Sequence, residues 1–340
     1  MKKKIMSAVL CAALAAVTLM GCGETTENNN NSGNTNGNTT TGSTANEDAS
    51  YNIGICQLIE HPALDAATLG FQDALKDKLG DKVTFDVQDA QGEQTTAATI
   101  VNGFVSSNYD LILANATTPL QCAAAATTKI PVLGTSVIDY ATALEIADWN
   151  GATGRNISGT SDLAPIDEQE DMLVELFPDA QKVGLLYCTA EANSVYQIKL
   201  FEAALDADGI AYQEYGIADS NEVQAVVSTA ASECDVLYIP TDNTLANCTE
   251  TVYNIVVPAG VPVIAGEEGI CSGCGVATLS ISYYDLGYQT GLMAYEILVN
   301  GADVTTMNVQ YASEVTKEYN AEICDKLGVT IPDTYKAIEQ

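Results

Sequence analysis

Basic residues and histidine are scarce in this sequence. Lysine and arginine together number 13 against 45 aspartates and glutamates, which gives a formal net charge of −32. The single arginine is Arg155 and the single histidine is His61. This negative balance excludes the basic surface with which proteins bind nucleic acid, and it makes the chain a poor partner for anionic lipid. A zinc site would have to draw its other ligands from cysteines, so we expect no metal and no cofactor.

Long hydrophobic runs are also missing, apart from one near the amino terminus. Residues 5–20 are apolar but too short to span a bilayer comfortably, and three lysines precede them, which predicts a signal peptide over residues 1–21. The sequence LMGC at residues 19–22 resembles the lipobox of bacterial lipoproteins. That resemblance implies cleavage before Cys22 and lipidation of its thiol. The alternative is an ordinary secretory signal with an incidental cysteine.

Residues 22–50 are rich in Asn, Thr, Gly and Ser and almost free of apolar side chains. Such a segment cannot bury enough surface to offset its chain entropy, so we expect a flexible tether. A lipidated Cys22 would hold the protein at the extracytoplasmic face of the cell membrane.

Cysteine does not form an evident disulfide framework, because a folded part of this size can stabilise itself without one. Eight cysteines remain beyond Cys22, and several lie in apolar runs typical of small buried residues. Cys271 and Cys274 form a CSGC pair beside glycines. A local disulfide and two free thiols both remain open there.

An internal repeat with a period of about 130 residues dominates the rest of the chain. IPVLGTS at 130–136 parallels VPVIAGE at 261–267, and YDLILAN at 109–115 parallels CDVLYIP at 234–240. In each half, short buried strands alternate with helical patterns, which predicts right-handed βαβ units and a parallel sheet. The fold class is therefore α/β with two similar lobes.

Polar side chains gather where the predicted strands end, the edge at which open α/β sheets bind ligands. These positions carry hydroxyls, amides and carboxylates with no clustered cation, a composition that suits a ligand with an amine. Helix N-terminal N–H groups and hydroxyls can hold a carboxylate without arginine, so a zwitterion of the amino-acid type fits. The positions are Gln57, Glu60, His61, Asn115, Thr117, Thr135, Ser136 and Asp139 in the first half and Glu191, Asn193, Ser194, Thr241, Asp242, Asn243, Glu267 and Glu268 in the second.

Several segments together resemble the ABC transporter substrate-binding protein family that includes tryptophan-binding lipoproteins. The resemblance covers residues 52–332 and is carried by EHP at 60–62, GTSD at 159–162, EANS at 191–194, YIPTDNT at 238–244, AGEEG at 265–269 and YYDLGYQTG at 283–291. It implies a two-lobed type I periplasmic-binding-protein fold with three hinge crossovers, near Gly159, Gly266 and Gly301. The first lobe would comprise residues 51–160 and 267–300, and the second residues 161–266 and 301–340.

The resemblance also implies a ligand shell in the cleft and aromatic amino acids among the cargo. We expect Asp242 and Asp162 to hold the ammonium group, and Thr117, Asn193 and Ser194 to hold the carboxylate. Aliphatic amino acids or another small amine remain open as ligands. Five aromatic residues can line the pocket or serve in the core: Tyr140, Trp149, Tyr187, Tyr196 and Tyr283. The implied shell is Gln57, Thr117, Ser136, Asp139, Thr160, Ser161, Asp162, Glu191, Asn193, Ser194, Thr241, Asp242 and Glu267.

Binding, not catalysis, is the predicted activity. A single histidine and the lack of a G-x-S-x-G motif argue against a serine hydrolase, and the adjacent Glu267 and Glu268 fit a cleft rim better than glycoside chemistry. The expected partners are an amino acid, a transmembrane permease and a separate ATPase, because the chain has no P-loop, and we expect a monomer. The alternative is a receptor that passes its ligand signal to a membrane kinase.

Overall fold

The computed structural model describes residues 49–312 and 314–339. The predicted signal peptide, Cys22 and the tether up to residue 48 lie outside the described residues. All described residues belong to one compact unit. Within them, no helix is both long and apolar enough to cross a membrane.

The first sheet has the strand order β11-β5-β4-β3-β1-β2, and all its neighbouring strands are parallel. Helices connect consecutive strands, as the repeat predicts. The elements up to the first crossing are β1 (Tyr51–Gln57), α1 (Pro62–Leu79), β2 (Val83–Asp89), α2 (Gln94–Ser106), β3 (Leu111–Asn115), α3 (Thr117–Ala126), β4 (Val132–Thr135), α4 (Tyr140–Ala143) and β5 (Ile157–Ser161).

The second sheet has the order β13-β12-β10-β9-β8-β6-β7. It is parallel except for the β10–β12 pair. Its elements before the second crossing are α5 (Ile166–Leu176), β6 (Val183–Cys188), α6 (Ala192–Asp208), β7 (Tyr212–Ile217), α7 (Val223–Glu233), β8 (Val236–Ile239), α8 (Asn243–Ala246), α9 (Thr249–Ala259), β9 (Val263–Ala265), α10 (Glu268–Cys274) and β10 (Ala277–Ser280).

The carboxy-terminal elements are shared between the lobes. α11 (Tyr283–Leu298) and β11 (Gln310–Tyr311) return to the first sheet, whereas β12 (Thr316–Tyr319), α12 (Ala321–Leu327) and β13 (Lys336–Ala337) belong to the second. Over the described residues the chain thus passes between the sheets three times: after β5, after β10 and after β11.

Two of the predicted lobe boundaries need correction. Residues 267–300 were assigned to the first lobe, yet β10 pairs in parallel with β9, Ala277 opposite Ile264, so the second lobe extends to Ser280. The tail from residue 301 was assigned to the second lobe, yet Gln310 pairs with Thr160 of β5. The first boundary differs because a short strand, β10, continues the second sheet beyond the repeat that the sequence displays. The second differs because the two-residue strand β11 returns to the edge of the first sheet.

The central strands are buried on both faces, which explains their continuous apolar sequence. In β1, Ile53 and Ile55 face Phe71 of α1 and Met293 of α11. Cys56, on the opposite face, contacts the cluster that contains Phe104 of α2. The alternation is that of a strand between two helical layers.

Helices α1 and α11 approach closely because glycines lie between them. A Cβ atom on Gly70 would come within 2.0 Å of the carbonyl oxygen of Tyr284, and one on Gly287 within 1.9 Å of that of Ala67. Gly287 belongs to the YYDLGYQTG segment that supports the family resemblance. That segment therefore maintains helix packing in the first lobe.

The second lobe has its own core. The rings of Phe201 in α6 and Tyr238 in β8 are stacked, with centroids 3.6 Å apart and an interplanar angle of 8°. The Tyr238 hydroxyl donates to Gln169 Oε1 at 2.6 Å, so its one polar group is satisfied within the core.

Candidate ligand-binding site

The loops at the carboxyl ends of the two sheets meet between the lobes. His61 Nε2, just before α1, lies 3.2 Å from Asn243 Oδ1, at the start of α8 in the other lobe. Thr117 and Asp139 of the first lobe line a narrow gap together with Tyr196 of the second. Helix α1 also contacts α10. The cleft is therefore closed in this structure, and its polar loop residues are shielded from solvent.

Asp162 lies at the first crossing and is only 3% exposed. The hydroxyl of Tyr283 donates to its Oδ2 atom at 2.9 Å, while Oδ1 has no hydrogen-bond partner. Burial raises the pKa of this carboxyl group to about 6; the Tyr283 hydrogen bond opposes that shift, and the nearby charge of Glu267 adds to it. The backbone N–H of Asp162 itself also opposes the shift, and among the described residues no lysine or arginine is one of its causes. Asp162 thus presents an uncompensated carboxylate oxygen in the closed cleft.

Glu267 and His61 form the next part of the site. Glu267 is the N-cap of α10, and its carboxylate accepts hydrogen bonds from the N–H groups of Gly269 and Ile270. Burial raises the pKa of Glu267, and the two N–H groups oppose that shift, as does His61 when its imidazole is protonated. His61 is itself buried, and its Nδ1 atom has no hydrogen-bond partner.

Ser136 supplies a third unpartnered polar atom. It follows β4 with a φ of 55°, a left-handed conformation that non-glycine residues rarely adopt, and its buried hydroxyl has no partner. Such strain at a loop is characteristic of binding sites. Near the strand ends, a carboxylate oxygen of Asp162, an imidazole nitrogen of His61 and the hydroxyl of Ser136 are thus buried without a hydrogen-bond partner among the described residues.

Asp242, by contrast, has both carboxylate oxygens engaged within its own lobe. Oδ2 accepts from the N–H of Cys188 at 2.6 Å, and Oδ1 accepts from the N–H of Leu245 at 2.9 Å as the N-cap of α8. Burial raises its pKa, as does the charge of Glu191, and the two N–H groups oppose the shift. Its position matches the prediction, but its bonding is that of a structural cap.

Both carboxylate oxygens of Glu191 also accept hydrogen bonds within the second lobe. Its Oε2 atom accepts from the N–H and side-chain amide of Asn243 at 3.1 and 2.6 Å, and its Oε1 accepts from the N–H and hydroxyl of Thr244 at 2.9 and 2.8 Å. Asn193 Nδ2 lies 3.1 Å from the same carboxylate and 3.2 Å from the carbonyl of Thr241. Ser194 is fully buried behind Asn193.

Three predicted residues of the first lobe point into that lobe. Gln57 Nε2 donates to Asp65 at 2.7 Å, and its oxygen accepts from Thr68 at 2.6 Å. Thr160 is bonded to Thr290 at 2.8 Å, and Ser161 to the carbonyl of Ile138 at 2.7 Å. These groups hold the strand ends in place. Of the predicted set, Thr117, Asp139 and Asn193 line the gap between the lobes. Glu267 lies close enough to Asp162 and His61 to interact with them electrostatically.

Residues outside the predicted shell also lie here. His61, Asn243, Tyr196 and Tyr283 all border the closed cleft. Strand-end position is the sequence signal that singles out His61 and Asn243. Two aromatic residues that could have lined the pocket belong to the cores instead: Tyr140 to that of the first lobe and Tyr187 to that of the second.

A cavity of about 710 Å³ adjoins this group of residues. Tyr283 and Glu267 form part of its wall, together with Ala63 of α1 and Ile281 at the second crossing. Its volume lies in the range that accommodates a small organic ligand.

Residues 52–338 match the family model described as ABC transporter substrate binding protein. The chain belongs to this family. The resemblance found in the sequence is thereby confirmed, as is the α/β fold with two predominantly parallel sheets flanked by helices.

Similar proteins have been described with amino acids. The tyrosine-binding protein of Clostridioides difficile is 37% identical over 313 residues, which cover 90% of this chain and 88% of that protein. A Streptococcus pneumoniae ABC domain solved in complex with L-Trp is 30% identical, with a TM-score of 0.80 over 84% of this chain and 97% of that one.

A third comparison concerns conformation. A Clostridium difficile substrate-binding protein with adhesive properties, solved in a ligand-free, open form, is 36% identical and covers 85% of this chain and 99% of that one, with a TM-score of 0.66. The identity is higher than for the L-Trp complex, yet the structural similarity is lower. This difference agrees with the closed cleft seen here.

Proposed function

We propose that this protein is the extracytoplasmic receptor of an ABC importer and that it captures an aromatic L-amino acid between its lobes. It acts as a monomeric binding protein, not as an enzyme. Lipidated Cys22 anchors it to the membrane, residues 22–50 form its tether, and a permease with a separate ATPase completes the importer.

The observation that carries this proposal is the free Oδ1 atom of Asp162. A buried carboxylate without a cationic partner is unfavourable in the empty protein, and an ammonium group supplies the missing charge. Tyr283 donates to the other oxygen and keeps the carboxylate oriented. We therefore assign the ligand ammonium to Asp162, because each oxygen of Asp242 already accepts a backbone N–H whereas the Oδ1 atom of Asp162 has no partner.

The carboxylate of the ligand is assigned to hydroxyl and N–H donors. Ser136 has an unpartnered hydroxyl, and Thr117 begins α3, where helix N–H groups favour an anion. Across the gap, the N–H groups of the first turn of α6, where Asn193 lies, complete the set, because the Nδ2 atom of Asn193 is already bonded to Glu191 and to the carbonyl of Thr241. The ring of an aromatic amino acid would then be directed to the cavity beside Tyr283.

Calorimetric titration of the chain from residue 23 onward tests the proposal directly. The protein is first unfolded, any released ligand is identified by mass spectrometry, and the refolded protein is titrated with L-tyrosine, L-tryptophan, L-phenylalanine and L-leucine. We expect binding of at least one aromatic amino acid more tightly than leucine. If no amino acid gives a heat signal, or if leucine binds most tightly, the proposed ligand class is wrong.

A further inference from the structure

Glu191 fixes the orientation of the Asn243 side chain. Its Oε2 atom lies 2.6 Å from Asn243 Nδ2 and 3.1 Å from the N–H of the same residue. A carboxylate only accepts hydrogen bonds, so the amide nitrogen of Asn243 must face Glu191. The Oδ1 atom of Asn243 is consequently directed across the cleft towards His61.

This orientation selects one tautomer of His61. Asn243 Oδ1 can only accept a hydrogen bond, so the His61 Nε2 atom, 3.2 Å away, must carry the proton. In a neutral imidazole the Nδ1 atom is then an unprotonated acceptor. That atom is buried and has no partner in the described structure. Glu267, whose charge interacts with His61, uses its carboxylate to cap α10.

We infer that Glu191, Asn243 and His61 form a relay across the cleft that presents the Nδ1 lone pair of His61 to a hydrogen-bond donor of the ligand. The inference rests on the proposed function, and it adds a residue that the predicted ligand shell does not contain. A primary ammonium or a hydroxyl group satisfies Nδ1, whereas a carboxylate oxygen is repelled by its lone pair. Because the relay spans both lobes, the acceptor is presented when the cleft closes.

The composition of the chain makes the tautomer directly measurable. His61 is the only histidine, so a protein labelled with ¹⁵N-histidine and purified without a polyhistidine tag gives imidazole signals from this residue alone. We expect the amino-acid-saturated protein to show a protonated Nε2 and an unprotonated, hydrogen-bonded Nδ1. A protonated Nδ1, whether Nε2 is bare or also protonated, would overturn the relay, and so would an Nδ1 signal that the ligand does not shift.

Two variants separate the parts of the relay. His61→Gln retains an N–H donor that can reach Asn243 but lacks an acceptor in the place of Nδ1. We expect it to weaken amino-acid binding about threefold to tenfold, the effect of one neutral hydrogen bond. Glu191→Gln frees the Asn243 amide to rotate, and we expect a mixture of His61 tautomers in the bound protein.

Glu222→Gln is the matched control for the second variant. Glu222 also lies at a helix start, where it accepts from the N–H of Ala218 at 2.7 Å, but it is exposed and outside the cleft. It should leave both affinity and tautomer unchanged. If the wild-type protein binds no amino acid, the proposed function fails and the relay fails with it. If the wild type binds and His61→Gln binds equally well, only the relay is wrong.

Discussion

Replacing Asp162 by asparagine removes one negative charge from the closed cleft while it preserves the size of the side chain. The two oxygens of Asp162 differ in their surroundings: Oδ2 accepts from Tyr283, and Oδ1 has no partner. The substitution therefore tests whether Asp162 binds the ligand ammonium, with little change in packing. We expect opposite effects on ligand binding and on the stability of the empty protein.

Ligand binding should weaken strongly. Removing one member of a buried, hydrogen-bonded charge pair costs about 2–4 kcal/mol, which corresponds to a dissociation constant roughly 30- to 700-fold higher. The empty protein should instead become more stable at neutral pH. The carboxyl pKa is raised from 3.8 to about 6 in the folded protein, so its ionised form destabilises the fold by up to about 3 kcal/mol at pH 7.

The sign of the pH dependence follows from the same values. Because the folded pKa lies above the unfolded one, the destabilising contribution of Asp162 develops as pH rises from about 4 to about 6 and is complete above that range. The ammonium group binds the ionised form, so wild-type affinity should fall as pH drops below about 6. Burial also raises the pKa values of Glu267 and Asp242. The pH dependence that remains in the Asp162→Asn protein measures the contribution of these two groups.

Calorimetric titration between pH 5 and 8 and thermal unfolding of the empty protein measure the two effects. Asp81→Asn is the control, because Asp81 is exposed beyond the carboxyl end of α1, away from the cleft. Affinity of the Asp162→Asn protein within threefold of wild type at pH 7 would refute the ammonium assignment. A loss of stability in the empty variant would refute the reasoning from burial.

Three further predictions concern the fold. Gly159→Ala should destabilise the protein by about 2–5 kcal/mol in chemical unfolding, because φ is +146° and the new Cβ would lie 2.1 Å from the carbonyl oxygen of Gly134. Tyr238→Phe should cost about 1–3 kcal/mol, measured in the same way, by leaving Gln169 Oε1 buried without its donor. Cys271 and Cys274 are buried free thiols, so a thiol reagent should label them only after unfolding, and reduction should not change the intact mass.

The sequence predicts the architecture well because the two halves repeat the same order of strands and helices. Buried parallel strands such as β3 and β8 are short apolar runs that are followed by polar residues. This pattern is present in both halves of the chain. The lobe boundaries are harder to predict. β10 continues the second sheet with only Ala277–Ser280, a segment too short to be distinguished from a loop by its composition.

The individual roles of site residues are only partly readable from sequence. Asp139, Asp242 and Glu267 all follow strands, which places them at the edge where ligands bind, yet each also caps the next helix. The same residue types serve both purposes, because a carboxylate that accepts a ligand N–H accepts a backbone N–H equally well. Only the count of hydrogen bonds around each oxygen separates the free acceptor of Asp162 from the occupied ones of Asp242.

The position of α11 in the chain sets the order in which the lobes can be completed. This helix closes the face of α1 that contains Gly70, although its residues follow almost the whole second lobe in sequence. During synthesis, a chain that emerges from its amino end exposes the apolar side of α1 until about 300 residues have been made. The second lobe acquires most of its strands before that point. The first lobe to be synthesised is therefore the one whose helix packing is completed later, and an interval of exposed α1 surface is built into the topology.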